Sequence, residues 1–149
     1  MDCIFCQIAC GEAPFHKVWE SGTHLAFLSI FPNTEGVTVV IPKHHFGSDV
    51  MAMPEADMIE LVRAAKTVAL RLNEKLDDVG RSAIVCEGFG VDHAHIKLFP
   101  MHGTKLPDWK PIHSNVRTFF TTYPGYISTH DGERWDDKAL AEVAKKIKK

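Results

Sequence analysis

The sequence lacks long hydrophobic runs and a strong excess of charge of either sign. No apolar stretch approaches the roughly 20 residues that a membrane-spanning helix needs. The first residues also lack a basic segment followed by an apolar one, so we expect neither a membrane partner nor a secretory signal. With 24% charged residues and a net charge of -2, the composition favours an ordered globular protein over a disordered or nucleic-acid-binding one. We therefore expect a cytoplasmic protein.

Cysteine is scarce, and in a reducing cytoplasm the four cysteines are expected as thiols or metal ligands rather than disulfides. CIFC at 3–6 has a zinc-like spacing, but a tetrahedral site needs two more ligands. Histidines can supply them, and the candidates are His44, His45 and His93. A thioredoxin-type motif is disfavoured because only two residues precede Cys3. Cys10 and Cys86 are expected to be buried, inert thiols.

The chain length of 149 residues suits one domain, in which short strands surround one long helix. The predicted strands cover residues 15–20, 24–30, 37–42, 82–88 and 91–100. Between Pro54 and Leu76, apolar residues recur at helical spacing at Met58, Leu61, Val62, Ala65, Val68, Leu72 and Leu76. The β-branched run at 37–42 is expected to be the central strand. This order predicts an α+β domain rather than alternating βαβ units.

The C-terminal third is expected to be an irregular tail over 101–135 followed by a short helix. The tail is rich in aromatic and apolar residues, so it should pack on the body or on another copy. The final segment is amphipathic, with Leu140, Val143, Ala144 and Ile147 on one side. We interpret the basic KKIKK at its end as the solvated last turn of a helix rather than a patch for anionic surfaces.

The stretch VDHAHIKLFP at 91–100 predicts a strand with a chemical face and a packing face, since alternate residues of a strand share a face. One face would carry His93, His95 and Lys97, and the other Ala94, Ile96 and Leu98. A surface strand with three polar residues is the alternative. A metal centre of the cupin kind is disfavoured, because no carboxylate follows Lys97 and a lysine would repel the cation.

Three motifs, in this order, resemble the histidine triad (HIT) superfamily of nucleotide hydrolases and transferases. CIFCQIACGEAP at 3–14 resembles its zinc-bearing opening, AFLSIFPNTEGVTVVIPKHH at 26–45 its nucleotide-binding hairpin, and DHAHIKLFP at 92–100 its triad strand. The tail from 109 to 131 is similar to that of a bacterial subgroup in which lysine takes the third triad position. The resemblance implies one HIT domain over 1–149, with an antiparallel sheet of about five strands, one long helix and a short C-terminal helix, and a homodimer.

The resemblance also implies site residues. His95 would attack the α-phosphorus of a nucleoside phosphoramidate or dinucleoside polyphosphate, and Lys97 would stabilise the phosphate oxygens. A structural zinc ion would be held by Cys3, Cys6, His45 and His93, although His44 could compete with His45. Nucleotide binding, with a purine expected, would involve Phe27, Ser29, Ile30, Phe89 and Gly90.

Several positions depart from the family pattern. Val37 replaces a histidine, Ser29 an aspartate that commonly holds the ribose, Cys86 an asparagine, and Lys97 the third triad histidine. The phosphate-contacting loop is shortened to Phe89 and Gly90. Each lost group would contact sugar, phosphate or a triad neighbour, so two hypotheses remain: a working enzyme, or a zinc-stabilised nucleotide-binding module with little or no activity.

Overall fold

The computed structural model describes residues 2–107 and 110–148, which belong to two units, Met1–Trp109 and Lys110–Lys149. The first unit contains a five-stranded sheet and two α-helices. Its strands are β1 (Lys17–Glu20), β2 (His24–Leu28), β3 (Thr38–Pro42), β4 (Ser82–Val85) and β5 (Ile96–Pro100). Its helices are α1 (Ile4–Cys10) and α2 (Glu55–Lys75), with a short 3-10 turn at Val50–Ala52. The second unit contains α3 (Asp137–Ile147).

The sheet has the strand order β1-β2-β3-β5-β4, and every neighbouring pair is antiparallel. The β-branched strand β3 lies in the middle and is buried along its whole length. A central strand is covered on both faces, which favours such continuous apolar runs. The predicted α+β class, the strand count and the central position of 37–42 are confirmed.

Helix α2 covers one face of the sheet. Its buried residues are Leu61, Ala64, Ala65, Val68 and Leu72, which pack with the sheet residues Ala26, Val40, Ile96 and Leu98. The predicted helix at 54–76 agrees within one residue at each end. The helical spacing also places Val62 on the apolar face that is expected to pack in the core, and this prediction was wrong, since Val62 is 43% exposed. One residue beyond Leu61, it is turned by about 100° away from the buried stripe.

Helix α1 covers the opposite face, where Ile8 packs with Leu25, Phe27, Val39 and Ile41. It was not predicted as a helix, because seven residues are too few for a clear 3.6-residue period. Gly11 ends it at φ 77°, and the N–H of Gly11 bonds to the carbonyls of Gln7 and Ile8. A left-handed residue at this position suits glycine.

The two remaining cysteines differ from each other. Cys10, in the last turn of α1, is exposed, so its predicted burial was wrong; the inner face of this short helix is taken by Cys6 and Ile8. Cys86 is half-buried and packs against the main core cluster. Burial raises the pKa of its thiol, which agrees with an inert role.

In the second unit, α3 confirms the predicted C-terminal helix. The Asp136 side chain accepts a hydrogen bond from the Ala139 N–H at its start, and Lys145 and Lys146 lie in its last turn. Aromatic residues of this unit contact one another but stay largely exposed, including Phe119 and Trp135. That the tail covers another surface stays a prediction. Across both described ranges, no helix combines the length and apolarity needed to cross a membrane.

Candidate metal centre and histidine site

Four side chains from three separate parts of the sequence converge on one point. The potential ligand atoms of Cys3, Cys6, His45 and His93 all lie within 4.8 Å of one another. The sulfur-to-nitrogen distances are 3.4 Å from Cys6 to His45 and 3.5 Å from each cysteine to His93. Bonds of about 2.3 Å to sulfur and about 2.0 Å to nitrogen would place these atoms about 3.5 Å apart at a tetrahedral angle. The four residues are therefore positioned to bind a metal ion.

Three parts of the fold hold the four ligands. Cys3 is the N-cap residue of α1 and Cys6 follows in its first turn, so their three-residue spacing puts both thiols on one side of the helix. His45 lies three residues beyond β3, and His93 three residues before β5. The centre thus connects the N-terminal helix to strands β3 and β5 of the sheet.

His93 is oriented by a second hydrogen bond. Its Nε2 lies 2.9 Å from the carbonyl oxygen of Pro42; because a carbonyl only accepts, Nε2 carries the proton and Nδ1 presents its lone pair to the thiols. Such outer contacts commonly fix metal-ligating histidines. Burial is the main cause that lowers the pKa of His93, which favours the neutral imidazole that binds metals.

The surroundings of the Cys6 thiol favour its protonated form. Burial, followed by the hydrogen bond and the charge of Cys3, raises its pKa to about 11. A bound cation would replace this proton. His44 stands apart from the centre: it is exposed, and its ring packs edge-on against Phe46 at a centroid distance of 4.9 Å. Of the two alternatives, the structure brings His45 to the other three ligands.

His95 is buried, and its tautomer leaves a lone pair on one ring nitrogen. Its side chain is 3% exposed, and Nδ1 lies 2.7 Å from the carbonyl oxygen of His93. Nδ1 must donate, so Nε2 keeps a lone pair. Burial most strongly lowers the pKa of His95, and the Lys97 charge acts in the same direction. A neutral imidazole of this kind can act as a nucleophile.

The prediction that both histidines lie on the strand was wrong, because β5 begins only at Ile96. The His93 N–H bonds to the Val91 carbonyl in a tight turn, and the Ala94 N–H bonds to the Phe46 carbonyl. These contacts bend the backbone away from strand pairing before residue 96. The predicted packing face is confirmed, because Ala94, Ile96 and Leu98 are all 0% exposed.

Phe5 links the histidines to α1, and sequence reasoning missed it. Its ring centroid lies 5.5 Å from that of His95, 5.9 Å from that of His93 and 5.4 Å from that of Phe27, all edge-on. The sequence could have indicated it, because Phe5 lies between the potential ligands Cys3 and Cys6. A residue in the same helical turn as two ligands must lie close to the metal centre.

Lys97 is paired with a carboxylate that was also missed. Its Nζ lies 2.9 Å from Oε1 of Glu87, and the side chains are 32% and 12% exposed, respectively. The antiparallel register pairs Val85 with Lys97, so a carboxylate two residues beyond Val85 falls close to residues 95–97. The contact could have been predicted from this register, but only if β4 and β5 were already known to be neighbours.

The residues predicted to bind nucleotide have varied surroundings. Phe27 is 5% exposed and belongs to the core cluster under α1. The Ser29 hydroxyl accepts a hydrogen bond from the Phe31 N–H. Ile30 is 73% exposed and Phe89 is 62% exposed, so a base could meet them only at the open surface. Gly90 has φ 95°, a conformation that favours glycine.

Comparisons with known proteins agree with this architecture. The family model described as HIT domain matches residues 10–104. An uncharacterized HIT-like protein of Mycobacterium tuberculosis is 37% identical over 115 residues, which cover 71% of this chain and 76% of that protein. Adenosine 5'-monophosphoramidase of Candida albicans is 34% identical over 106 residues, covering 66% and 69% of the two chains.

Solved structures give the same result. A HIT family protein of Bacillus anthracis superposes with a TM-score of 0.67 at 25% identity, covering 99% of this chain and 95% of that one. A protein of Streptococcus mutans gives a TM-score of 0.69 at 26% identity, with 99% and 83% covered. With the family model matching more than half of its length and its fold shared with HIT proteins over nearly all of it, this chain belongs to the HIT domain family.

Proposed function

We propose that this protein is a nucleotide hydrolase or nucleotidyl transferase that acts on a nucleoside phosphoramidate or a dinucleoside polyphosphate. One observation carries the proposal: buried His95 is fixed through Nδ1 on the His93 carbonyl, which leaves Nε2 available for attack. Membership of the HIT family supports a hydrolase, and three fungal relatives named adenosine 5'-monophosphoramidases support a purine phosphoramidate.

The reaction would have two steps. Nε2 of His95 attacks the α-phosphorus, a P–Nε2 bond forms, and the bond to the amine or phosphate leaving group breaks as solvent supplies its proton. Water or another acceptor then attacks the nucleotidyl-imidazole, which releases the nucleotide and restores the neutral ring. Covalent catalysis of this kind divides one difficult displacement into two easier ones.

The remaining site residues would bind and orient the substrate. Lys97 supplies an ammonium for the equatorial phosphate oxygens, where charge develops during transfer. Gly90 allows the backbone to approach the phosphate closely. Nucleoside contacts are assigned to Phe27, Ser29, Ile30 and Phe89. Of these, exposed Ile30 and Phe89 are suited to covering a flat base.

The metal centre is proposed as a structural zinc site with Cys3, Cys6, His45 and His93 as ligands. Two thiolates and two imidazoles in a tetrahedral arrangement suit zinc and leave no open position for substrate. A bound ion would fix the backbone at His93, and so the carbonyl that orients His95. Its contribution would be stability and geometry.

We further propose a cytoplasmic homodimer, of the bacterial zinc-containing subgroup with lysine at the third triad position. Cys3, Cys6, Cys10 and Cys86 form no disulfide, which suits a reducing compartment. Exposed aromatic residues of the second unit, such as Tyr126 at 54%, suit a covered surface. Light scattering at micromolar protein should give twice the chain mass, and a monomer mass would contradict the dimer.

A nucleotide-binding module without turnover is the second candidate. The observation that favours it is the Glu87–Lys97 ion pair, since the carboxylate partly offsets the charge available to a phosphate. Turnover of adenosine 5'-phosphoramidate separates the two functions. If the protein is an enzyme, the wild type should hydrolyse this substrate steadily, and His95→Ala should lower the rate by at least about a thousandfold. His95→Asn should bind nucleotide about as tightly as the wild type. Equal rates for the wild type and His95→Ala would exclude His95 as nucleophile.

A further inference from the structure

The Glu87 carboxylate restrains the Lys97 ammonium. Their 2.9 Å contact is half-buried, whereas the cross-strand neighbours of Lys97 are Val39 on β3 and Val85 on β4. Valine side chains offer no hydrogen-bond acceptor, and a lysine side chain has four rotatable carbon–carbon bonds. Among these described neighbours, the carboxylate is therefore the contact that selects one position for the flexible ammonium.

The backbone that carries Glu87 is itself held in place. The next residue, Gly88, has φ 72°, and a Cβ there would lie 2.9 Å from the carbonyl oxygen of Ser48. Only glycine allows this close approach without displacement. On the other side, β4 ends at Val85 and is paired with β5. Glu87 thus projects from a segment fixed at both ends.

The charges of the pair are close enough to His95 to change the pKa of its imidazole. The Lys97 charge lowers this pKa and the Glu87 charge raises it. A carboxylate so close to the ammonium partly offsets its charge at a bound phosphate. The site would therefore present the N–H donors of an ammonium with a reduced net positive charge.

We propose that Glu87 is a positioning residue for nucleotidyl transfer: it holds Lys97 beside the reacting phosphate and offsets its charge. The inference rests on the proposed function. Glu87 should increase the rate of transfer and decrease the affinity for phosphate, so the two effects can be measured separately. A fixed ammonium accelerates transfer through preorganisation, while the offset charge lowers the affinity for any phosphate.

Glu87→Gln removes the charge at nearly constant size. In a His95→Asn background, where no transfer occurs, it should tighten AMP binding about fivefold, a value discounted for solvent screening. With His95 present, the single-turnover rate of nucleotidyl transfer from adenosine 5'-phosphoramidate should fall about tenfold. Glu87→Asp keeps the charge but shortens the reach, so it should slow transfer while AMP affinity stays within about twofold.

A matched control is Glu74→Gln, which makes the same charge change in the exposed Glu74–Lys75 pair on α2. It should change neither quantity. A measurement without ligand completes the test: the ¹H–¹⁵N signal of the Lys97 Nζ ammonium should be protected from exchange in the wild type and Glu74→Gln, and weakened in Glu87→Gln.

Weaker AMP binding together with slower transfer in Glu87→Gln would show a merely structural role and overturn the proposal, as would unchanged values. Failure of the wild type to transfer would contradict the proposed function, while AMP affinity would still decide the role of Glu87. If AMP does not bind, the ammonium signal decides it, and a signal that persists in Glu87→Gln would overturn the proposal.

Discussion

The candidate metal centre and the proposed nucleotide-binding region of the first unit differ in how closely their residues converge. All four potential ligand atoms lie within 4.8 Å of one another, whereas the predicted nucleotide contacts range from buried Phe27 to Ile30 at 73% exposure. An ion requires donors within one bond length of a single point. A nucleotide is larger, and loops can order around it on binding. Motifs therefore define the ion site more fully than the substrate site.

The largest effect is expected from loss of a buried metal ligand. Cys6→Ser should abolish metal binding and destabilise the first unit by at least about 3 kcal/mol, because a bound ion would connect α1 to β3 and β5. Cys10→Ser makes the same chemical change on an exposed thiol of the same helix and should alter neither property. Elemental analysis and thermal melting measure both. Equal metal content in Cys6→Ser and the wild type would contradict the assigned centre.

The next effect concerns Lys97. Lys97→Ala should weaken nucleotide binding and lower kcat/KM by about 10- to 100-fold, because an ammonium that contacts phosphate acts in both ground and transition states. It also leaves half-buried Glu87 without its cation, which should cost about 1–2 kcal/mol. Lys97→His should retain more activity and move the pH optimum towards the imidazole pKa of about 6.5. Wild-type kinetics in Lys97→Ala would exclude a role for the ammonium.

Phe5 tests whether α1 supports the nucleophile as well as the metal. Phe5→Leu should cost about 1–2 kcal/mol in stability and slow turnover several-fold, with metal content unchanged, because the His95 ring loses an edge-on contact. Phe15→Leu is the control: Phe15 also packs on Phe27, at a ring-centroid distance of 6.1 Å. It should lower stability similarly without the rate effect. Equal rate losses in both variants would assign Phe5 to packing alone.

The smallest effect is a pH-dependent contribution to stability from His102, which lies just beyond the end of β5. Both His102 ring nitrogens face acceptors, the Asp78 carboxylate and the Glu35 carbonyl, each at 2.9 Å. These contacts raise the pKa of His102, so its stabilisation should be complete below about pH 6.5 and disappear as pH rises through the folded value. Relative to His102→Gln, the wild type should lose a Tm advantage of about 1–2 °C between pH 5.5 and 9. An advantage that grows with pH would have the wrong sign.

Sequence predicted the features that depend on local periodicity. The strand at 37–42 and the helix at 54–76 have strong patterns, and both are present. Helix α1 is too short for such a pattern. The start of β5 at Ile96 depends on contacts from Ala94 to Phe46, which no local pattern contains.

The same distinction applies to the site. Spacing predicted the two cysteines and left three histidine candidates, and the resemblance to the HIT family implied the set Cys3, Cys6, His45 and His93. That His45 rather than adjacent His44 joins the other three depends on the direction of the chain after β3. Glu87 and Phe5 reach the histidines only through strand register and helix packing. Tertiary contacts of this kind leave little signal in one sequence.

The most direct test of the central claim is mass spectrometry of the protein during turnover. Wild type mixed with adenosine 5'-phosphoramidate and stopped in acid-free conditions, since a phosphoryl-imidazole bond is acid-labile, should carry one adenylyl group on the peptide that contains His95. His95→Asn should carry none while still binding AMP. Turnover by the wild type without this adduct, or the same adduct in His95→Asn, would contradict a nucleotidyl-His95 intermediate.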